Sequence, residues 1–376
     1  MRPSPGLSDG DKVWKLNRCI YGLKQSVNEL YGLFAIFLTS KDFTTLHQDP
    51  CIFIHNKFES FISLYVDDIA IFSTDSPHLT TLIKDLKTAF EISDLGEAWF
   101  LLGLHIRYTS YGIALTQERY VTTILSRFGI ANSKTVSIPL PKGITLRKGI
   151  TEQPKEQVTT YQSMIGSLMY LVTGTTPDLA YTISLLGQFS SCPTDEPIKA
   201  AKHVFWYVNG TWNLGLFYVY TTTNAIDLCV DADFAGCHDT RRSTSGYIVL
   251  FNNCCVSWLS EKQASVGKST TEAQFVAMSY GTRHIWWLLK GLTDLHLHVP
   301  ISMQADNTCA NFLAVNHLST VKTKHIAVDY FITRESMEDN LFVLAKVESV
   351  NKLADICTKI LANAAHQRMA TLLGCR

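Results

Sequence analysis

Along the first third of the chain, apolar residues at helical spacing alternate with short apolar runs. Between Ser26 and Lys41 the apolar residues Val27, Leu30, Tyr31, Phe34, Phe37 and Leu38 recur every three or four positions, which predicts a helix with one buried face. Cys51–His55, Ser60–Val66 and Ile69–Phe72 are brief runs rich in Ile, Phe and Val, and they predict strands. Ser76-Pro77 is a helix-start signal, and the helix it opens is expected to run through Phe90. Trp99–Tyr108 with Gly112–Thr116 predicts a hairpin, followed by a helix over Gln117–Phe128. This order predicts an antiparallel sheet with helices on it, an α+β arrangement.

The stretch Ser133–Lys155 holds Pro139, Pro141, Gly143, Gly149 and Pro154 with little apolar periodicity, and is expected to be a linker. Beyond it, Tyr161–Thr173, Asp178–Ser190 and Asp195–Asn209 predict helices. Strands are then expected at Leu214–Tyr220, Ile226–Phe234, Ser245–Phe251 and Cys254–Leu259, and a long helix at Ser269–Leu292. A strand at Ile301–Ala305, helices at Asn307–Val315 and Ile326–Glu338, a strand at Leu341–Val347 and closing helices from Asn351 complete the pattern. The expected organisation is an α+β block at 1–132, a linker at 133–155, a helical block at 156–222 and an α/β block at 223–376.

Composition narrows the class. Of 376 residues, 46% are hydrophobic and 18% charged, which excludes a disordered or fibrous chain. Lys+Arg 33 balance Asp+Glu 33, so binding through non-specific phosphate attraction alone is not expected. The first ten residues have no apolar core for a signal peptide, and no uninterrupted apolar run reaches the roughly 18 residues of a membrane span. The ten cysteines are scattered without a Cys-x-x-Cys pair, which argues against zinc and disulfide frameworks and for a reducing compartment.

Two groups of carboxylates stand out. Asp67-Asp68, in Tyr65-Val66-Asp67-Asp68, falls at a tight turn between two apolar strands. Adjacent carboxylates beside a buried sheet are costly unless cations offset them, as the paired divalent ions of phosphoryl-transfer sites do. A solvated hairpin turn is an equal alternative. Four further carboxylates lie in the last block: Asp231 inside an apolar strand, Glu272 in the first turn of the long helix, Asp306 at a strand end, and Asp355 facing inward by helical spacing. Singly each has an ordinary reading, as dipole partner, helix cap, salt bridge or solvated residue. Jointly they can converge on one pair of metal ions. Gly267-Lys268-Ser269-Thr270 imitates a P-loop end, but Lys262 stands where its first glycine belongs. His296-Leu297-His298 lacks further ligands, Trp286-Trp287 fits core or interface, and Arg241-Arg242 fits a phosphate-holding or a solvated turn equally.

These segments, in this order, resemble the carboxy-terminal part of the Pol polyprotein of copia-type LTR retrotransposons, reverse transcriptase followed by ribonuclease H. Ile20-Tyr21-Gly22-Leu23-Lys24-Gln25 is similar to the family's nucleotide-site helix entrance, with Lys24 and Gln25 as cofactor-binding candidates. Tyr65-Val66-Asp67-Asp68 resembles its polymerase signature, and Leu102-Gly103 falls at its primer grip. Pro177-Asp178-Leu179-Ala180 and Ala200-Ala201-Lys202-His203 resemble connection patterns. Asp231–Gly236, Arg241–Tyr247, Ser269–Ala273, Asp306-Asn307, Thr323–Ile326 and Leu353–Lys359 resemble its ribonuclease H segments.

The resemblance implies an incomplete polymerase palm, a helical connection, and a ribonuclease H-like mixed five-stranded sheet with helices. It implies that Asp231, Glu272, Asp306 and Asp355 hold Mg²⁺, with Mn²⁺ as the alternative, and that Asp67 and Asp68 do so for nucleotide addition. His325 is an auxiliary proton-transfer candidate. The implied partners are an RNA–DNA hybrid and a template–primer, with no membrane, in a cytoplasmic particle or the nucleus. The chain departs from the family pattern at Val27, Leu30, Phe234 and Phe331. Only twenty residues precede Tyr21, so the fingers and the first palm strand are expected to be missing and polymerase activity lost. The alternative is an inactive remnant or a co-opted nucleic-acid-binding protein.

Overall fold

The structure, a computed structural model, describes residues 23–149, 153–221, 223–305, 327–347 and 352–375. By their contacts the described residues form two units, one within Met1–Glu97 plus Leu289–Leu297 and one within Ala98–Leu288 plus His298–Arg376.

In the first unit, helix α1 (Lys24–Thr39) places Phe34 and Leu38 against the sheet, as the periodicity requires. The sheet is an antiparallel meander of β1 (Phe43–Thr45), β2 (Ile52–His55), β3 (Ser60–Tyr65) and β4 (Asp68–Ser73). β1 was not foreseen, because three residues are too few for a visible alternation. Alternate β3 residues Ser60, Ile62 and Leu64 are buried while Phe61 and Tyr65 are exposed, the period of a half-buried strand. Helix α2 (Ser76–Ala89) starts on Asp75, whose carboxylate accepts the His78 N–H at 2.7 Å, and has Pro77 in its first turn. Leu82 and Leu86 complete the core with Phe43, Phe53 and Phe90.

The second unit begins with a sheet of β5 (Phe100–Leu101), β6 (Leu104–Thr109), β7 (Gly112–Thr116) and β8 (Gly215–Val219). In place of the single strand expected over Trp99–Tyr108 there are two, β5 and β6. Leu102 and Gly103 both have positive φ, at 51° and 83°, and form a two-residue turn that folds β5 back on β6. Helices α3 (Glu118–Arg127), α4 (Lys155–Gly174), α5 (Ala180–Gly187) and α6 (Asp195–Gly210) follow, with a short 3₁₀ turn at Pro177–Leu179. The helix expected from Asp178 therefore starts two residues later, after that turn. Leu140 and Leu146, in the proline-rich stretch, are buried in the same core as Leu168, Leu171 and Phe205.

The last sheet has the order β11-β10-β9-β12-β13. Here β9 is Ile226–Asp233, β10 Thr244–Phe251, β11 Cys254–Lys262, β12 Ile301–Ala305 and β13 Val343–Lys346. β9 to β11 are antiparallel, and β9, β12 and β13 parallel, so the sheet is mixed as expected. The central strand β9 is covered on both faces, which is why Leu228-Cys229-Val230 reads as an unbroken apolar run. Helix α7 (Thr270–Asp294) covers one face. Gly281 brings its backbone onto Leu228 and Val230, where a Cβ would lie 3.0 and 3.1 Å from their methyl groups. Helix α8 is Ala327–Glu338 and α9 is Asn363–Leu372. The expected helix from Asn351 is instead a 3₁₀ turn, Leu353–Cys357, packed on β9 and β10. The helix expected at Asn307–Val315 lies outside the described residues. No described helix is long and apolar enough to cross a membrane.

Candidate active site

Asp231 sits on the face of β9 opposite α7, in register with Gly246 of β10. That pairing lets the 3₁₀ turn approach. A Cβ on residue 246 would lie 2.7 Å from Thr358 Cγ2 and 2.8 Å from Cys357 Cβ. The turn carries Asp355, and the next residues carry Thr358 and Lys359. Asp231 is almost wholly buried, at 2% exposure. Its carboxylate is satisfied by Lys352 Nζ on Oδ1, by the Thr358 hydroxyl on Oδ2, and by Lys359 Nζ at 4.0 Å. Asp355 receives Lys359 Nζ on Oδ2 at 2.8 Å and has Lys352 Nζ 3.7 Å from Oδ1. The two lysines thus bridge the two carboxylates.

Burial pushes the Asp355 carboxyl above the ordinary carboxylate range, and the Asp231 charge adds to this against the hydrogen bond from Lys359. Burial raises Asp233 too, again with the Asp231 charge adding to it. Asp233 is enclosed by the following turn, where a Cβ on Gly236 would fall 1.5 Å from its Oδ2. Ala235, at φ 55°, donates its N–H to the buried Ser243 hydroxyl at 3.0 Å. The β9–β10 pairing, Thr244 opposite Asp233 and Gly246 opposite Asp231, sets the end of the Arg241–Tyr247 segment beside Asp231.

Among the four carboxylates named from the sequence, the structure brings Asp231 and Asp355 together. Glu272 is on the first turn of α7, but its Oε2 accepts the Lys268 N–H at 2.8 Å while Ser269 Oγ accepts the Glu272 N–H at 3.1 Å, a reciprocal helix cap. The residue that ties α7 to the site strand is Gln274, which accepts the Ala232 N–H at 3.1 Å and donates to the Val230 carbonyl at 3.4 Å. Asp306 and His325 lie outside the described residues. Among the described residues no three His, Cys, Asp or Glu side chains form a metal-holding group. Sequence reasoning passed over Lys352, Thr358 and Gln274. Their only signal was position, three residues either side of Asp355 and two beyond Glu272.

In the first unit, Asp67 and Asp68 are exposed at the β3–β4 turn, with Asp68 paired to Tyr65. Val66 takes a φ of 55°, which is strained for a β-branched residue. Among the described residues β4 pairs with β3 alone and forms a sheet edge. Gln25 is exposed in the first turn of α1, and Lys24 is its first residue.

Residues 1–142 match the family described as reverse transcriptase (RNA-dependent DNA polymerase). The chain is 32% identical over 386 residues to the retrovirus-related Pol polyprotein from transposon RE1 of Arabidopsis thaliana, covering 100% of this chain and 26% of that protein. It is 32% identical over 373 residues to the Pol polyprotein from transposon TNT 1-94 of Nicotiana tabacum, covering 96% of this chain and 28% of that protein. The chain therefore spans about a quarter of the length of these curated relatives. Among solved structures, LC11-RNase H1, isolated from compost, matches 39% of this chain and 98% of its own, at 14% identity and a TM-score of 0.30.

Proposed function

Because the chain belongs to the retrovirus-related Pol family of copia-type transposons, as a reverse transcriptase/ribonuclease H-like part, we propose that residues 223–376 form a metal-dependent ribonuclease H acting on RNA in RNA–DNA hybrids. The observation that supports this reading is the meeting of Asp231, on the central strand, with Asp355, on the 3₁₀ turn. Their donor atoms are carboxylate oxygens only, the set that suits Mg²⁺ or Mn²⁺. Asp355 Oδ1 is buried and accepts no hydrogen bond, with Lys352 Nζ 3.7 Å away, so a divalent ion that displaced this ammonium would find an open acceptor there. Asp306 and Glu272 join the set by resemblance.

A bound divalent ion at such a site neutralises charge on the reacting phosphate and activates water. The chain's own residues do the rest. Asp231 and Asp355 hold the cation. The Thr358 hydroxyl fixes the orientation of Asp231. Lys359, with 45% of its side chain exposed, offers a positive charge to the nucleic-acid backbone. In the first unit, Asp67 and Asp68 would hold the metal for nucleotide addition and Lys24 and Gln25 would belong to the nucleotide site by resemblance, but extension of a template–primer by this chain alone is not expected. The setting is intracellular, in a cytoplasmic particle or the nucleus.

The test is cleavage of a labelled RNA strand, alone and annealed to DNA, with Mg²⁺. Hybrid-specific cleavage that is lost in Asp231→Asn upholds the reading. A second reading, a non-catalytic nucleic-acid-binding remnant, is favoured by the neutralisation of both carboxylates by Lys352 and Lys359. Hybrid binding without cleavage by the folded parent decides for it.

A further inference from the structure

Lysine is almost never buried unless it is paired. Only 10% of the Lys352 side chain is exposed, against 45% for Lys359. Lys352 enters the 3₁₀ turn, where its carbonyl accepts the Asp355 N–H at 3.2 Å, so its stem is anchored at the site. Its ammonium contacts Asp231 Oδ1 and stands 3.7 Å from Asp355 Oδ1, the oxygen that accepts no hydrogen bond. Lys359 reaches the other oxygen of each carboxylate, 2.8 Å from Asp355 Oδ2 and 4.0 Å from Asp231 Oδ2. Its half-exposed head can swing into water while its stem stays in place. Lys352 has no such freedom.

A divalent ion shared by Asp231 and Asp355 must lie about 2.0–2.6 Å from an oxygen of each. An ammonium at hydrogen-bond distance from Asp231 and within ion-pair reach of Asp355 already occupies the space between those Oδ1 atoms. Volume and like charge both forbid the two cations to sit there together. Removing the ammonium with nothing in its place would leave the half-exposed Lys359 alone to offset two largely buried carboxylates, which is costly.

We propose that Lys352 is a positioning residue that serves as the built-in counter-ion of this centre: it holds Asp231 and Asp355 together when no divalent ion is bound, and it must withdraw when one binds. Lys352 thereby sets the concentration at which the site fills. The proposal rests on the metal-dependent reading above, and its test reads metal binding and stability rather than cleavage.

Mn²⁺ binding to the full chain is measured by calorimetry and by the electron paramagnetic resonance of free Mn²⁺, together with melting temperatures in EDTA and in Mn²⁺. Lys352→Met, which keeps the stem and removes the charge, is expected to bind Mn²⁺ about ten- to a hundredfold tighter than the parent, the range over which neighbours of ligands tune a metal. It should melt below the parent in EDTA and gain more from Mn²⁺. Lys359→Met should shift the affinity much less, and Asp231→Asn added to Lys352→Met should abolish the gain. A folded Lys352→Met with unchanged or weaker affinity overturns the proposal. If Lys352→Met fails to fold in EDTA, Lys352→Gln serves by the same criterion. A parent that binds no Mn²⁺ brings down the metal reading. Lys352→Met then decides the counter-ion role on its own, since binding that emerges upholds it and none overturns it.

Discussion

Gly246→Ala tests the geometry on which the site depends. The added methyl would lie 2.7 Å from Thr358 Cγ2, 2.8 Å from Cys357 Cβ and 3.2 Å from the Cys357 carbonyl carbon. None of these is the far end of a flexible side chain, and the Cys357 carbonyl carbon belongs to the 3₁₀ turn itself, so the turn must move off the sheet. Overpacking of this kind costs about 1–3 kcal/mol. Restricting the unfolded chain by replacing glycine returns about 0.4–1 kcal/mol. The net expectation is a loss of about 1–2 kcal/mol, or roughly 2–8 °C in melting temperature for a unit of this size. Gly166→Ala, on the exposed face of α4 with no neighbour within 4 Å, is the control and should stabilise by about 0.5–1 kcal/mol. Melting is followed by circular dichroism, and hydrogen exchange over 353–359 should rise only in Gly246→Ala. A Gly246→Ala protein as stable as the parent, with unchanged exchange there, would refute the close approach of the turn to β9 and β10.

Three further outcomes are expected. Tyr207→Phe should lower stability by about 1.5–3 kcal/mol in chemical denaturation, because it removes the 2.6 Å hydrogen bond to the buried Asp178 carboxylate. His55 accepts the Lys57 and Phe58 N–H groups at 3.0 and 3.1 Å on Nδ1, and burial followed by the nearby His78 holds its pKa below the ordinary 6.5. The unfolded chain therefore takes up the proton first, so the first unit should keep full stability above about pH 6.5 and lose it as pH falls below, a slope absent in a folded His55→Asn. Primer extension on an RNA template with Mg²⁺ or Mn²⁺ should be absent, since paired ions need carboxylates on both sides and Asp67 and Asp68, adjacent and exposed on one turn, supply one side. Extension that disappears in Asp67→Asn would contradict this.

The fold was legible where burial writes a period into the sequence. Helix α1, strands β3 and β4 and the β9–β11 group showed their faces directly. The Leu102-Gly103 turn was not legible, because a leucine at positive φ gives no composition signal. Nor was the 3₁₀ turn at 353–357, since its side chains share the near-helical spacing of an α-helix. In the site, the two aspartates announced themselves as charges in apolar surroundings. The partners that neutralise them did not, because Lys352 reads in sequence as a surface lysine and only the packing of the turn buries it. Glu272 showed the converse: the Ser269-x-x-Glu272 spacing is also that of a helix cap, and the side chain is engaged there, accepting the Lys268 N–H while Ser269 accepts the Glu272 N–H.

The most direct measurement is single-turnover cleavage of an RNA–DNA hybrid by the parent, Asp231→Asn and Asp355→Asn, each shown to be folded. Mg²⁺-dependent cleavage by the parent is expected, with a loss of several orders of magnitude in both variants, because an amide keeps the shape of the carboxylate and removes the charge that holds the cation. Cleavage by either variant at the parental rate would contradict this.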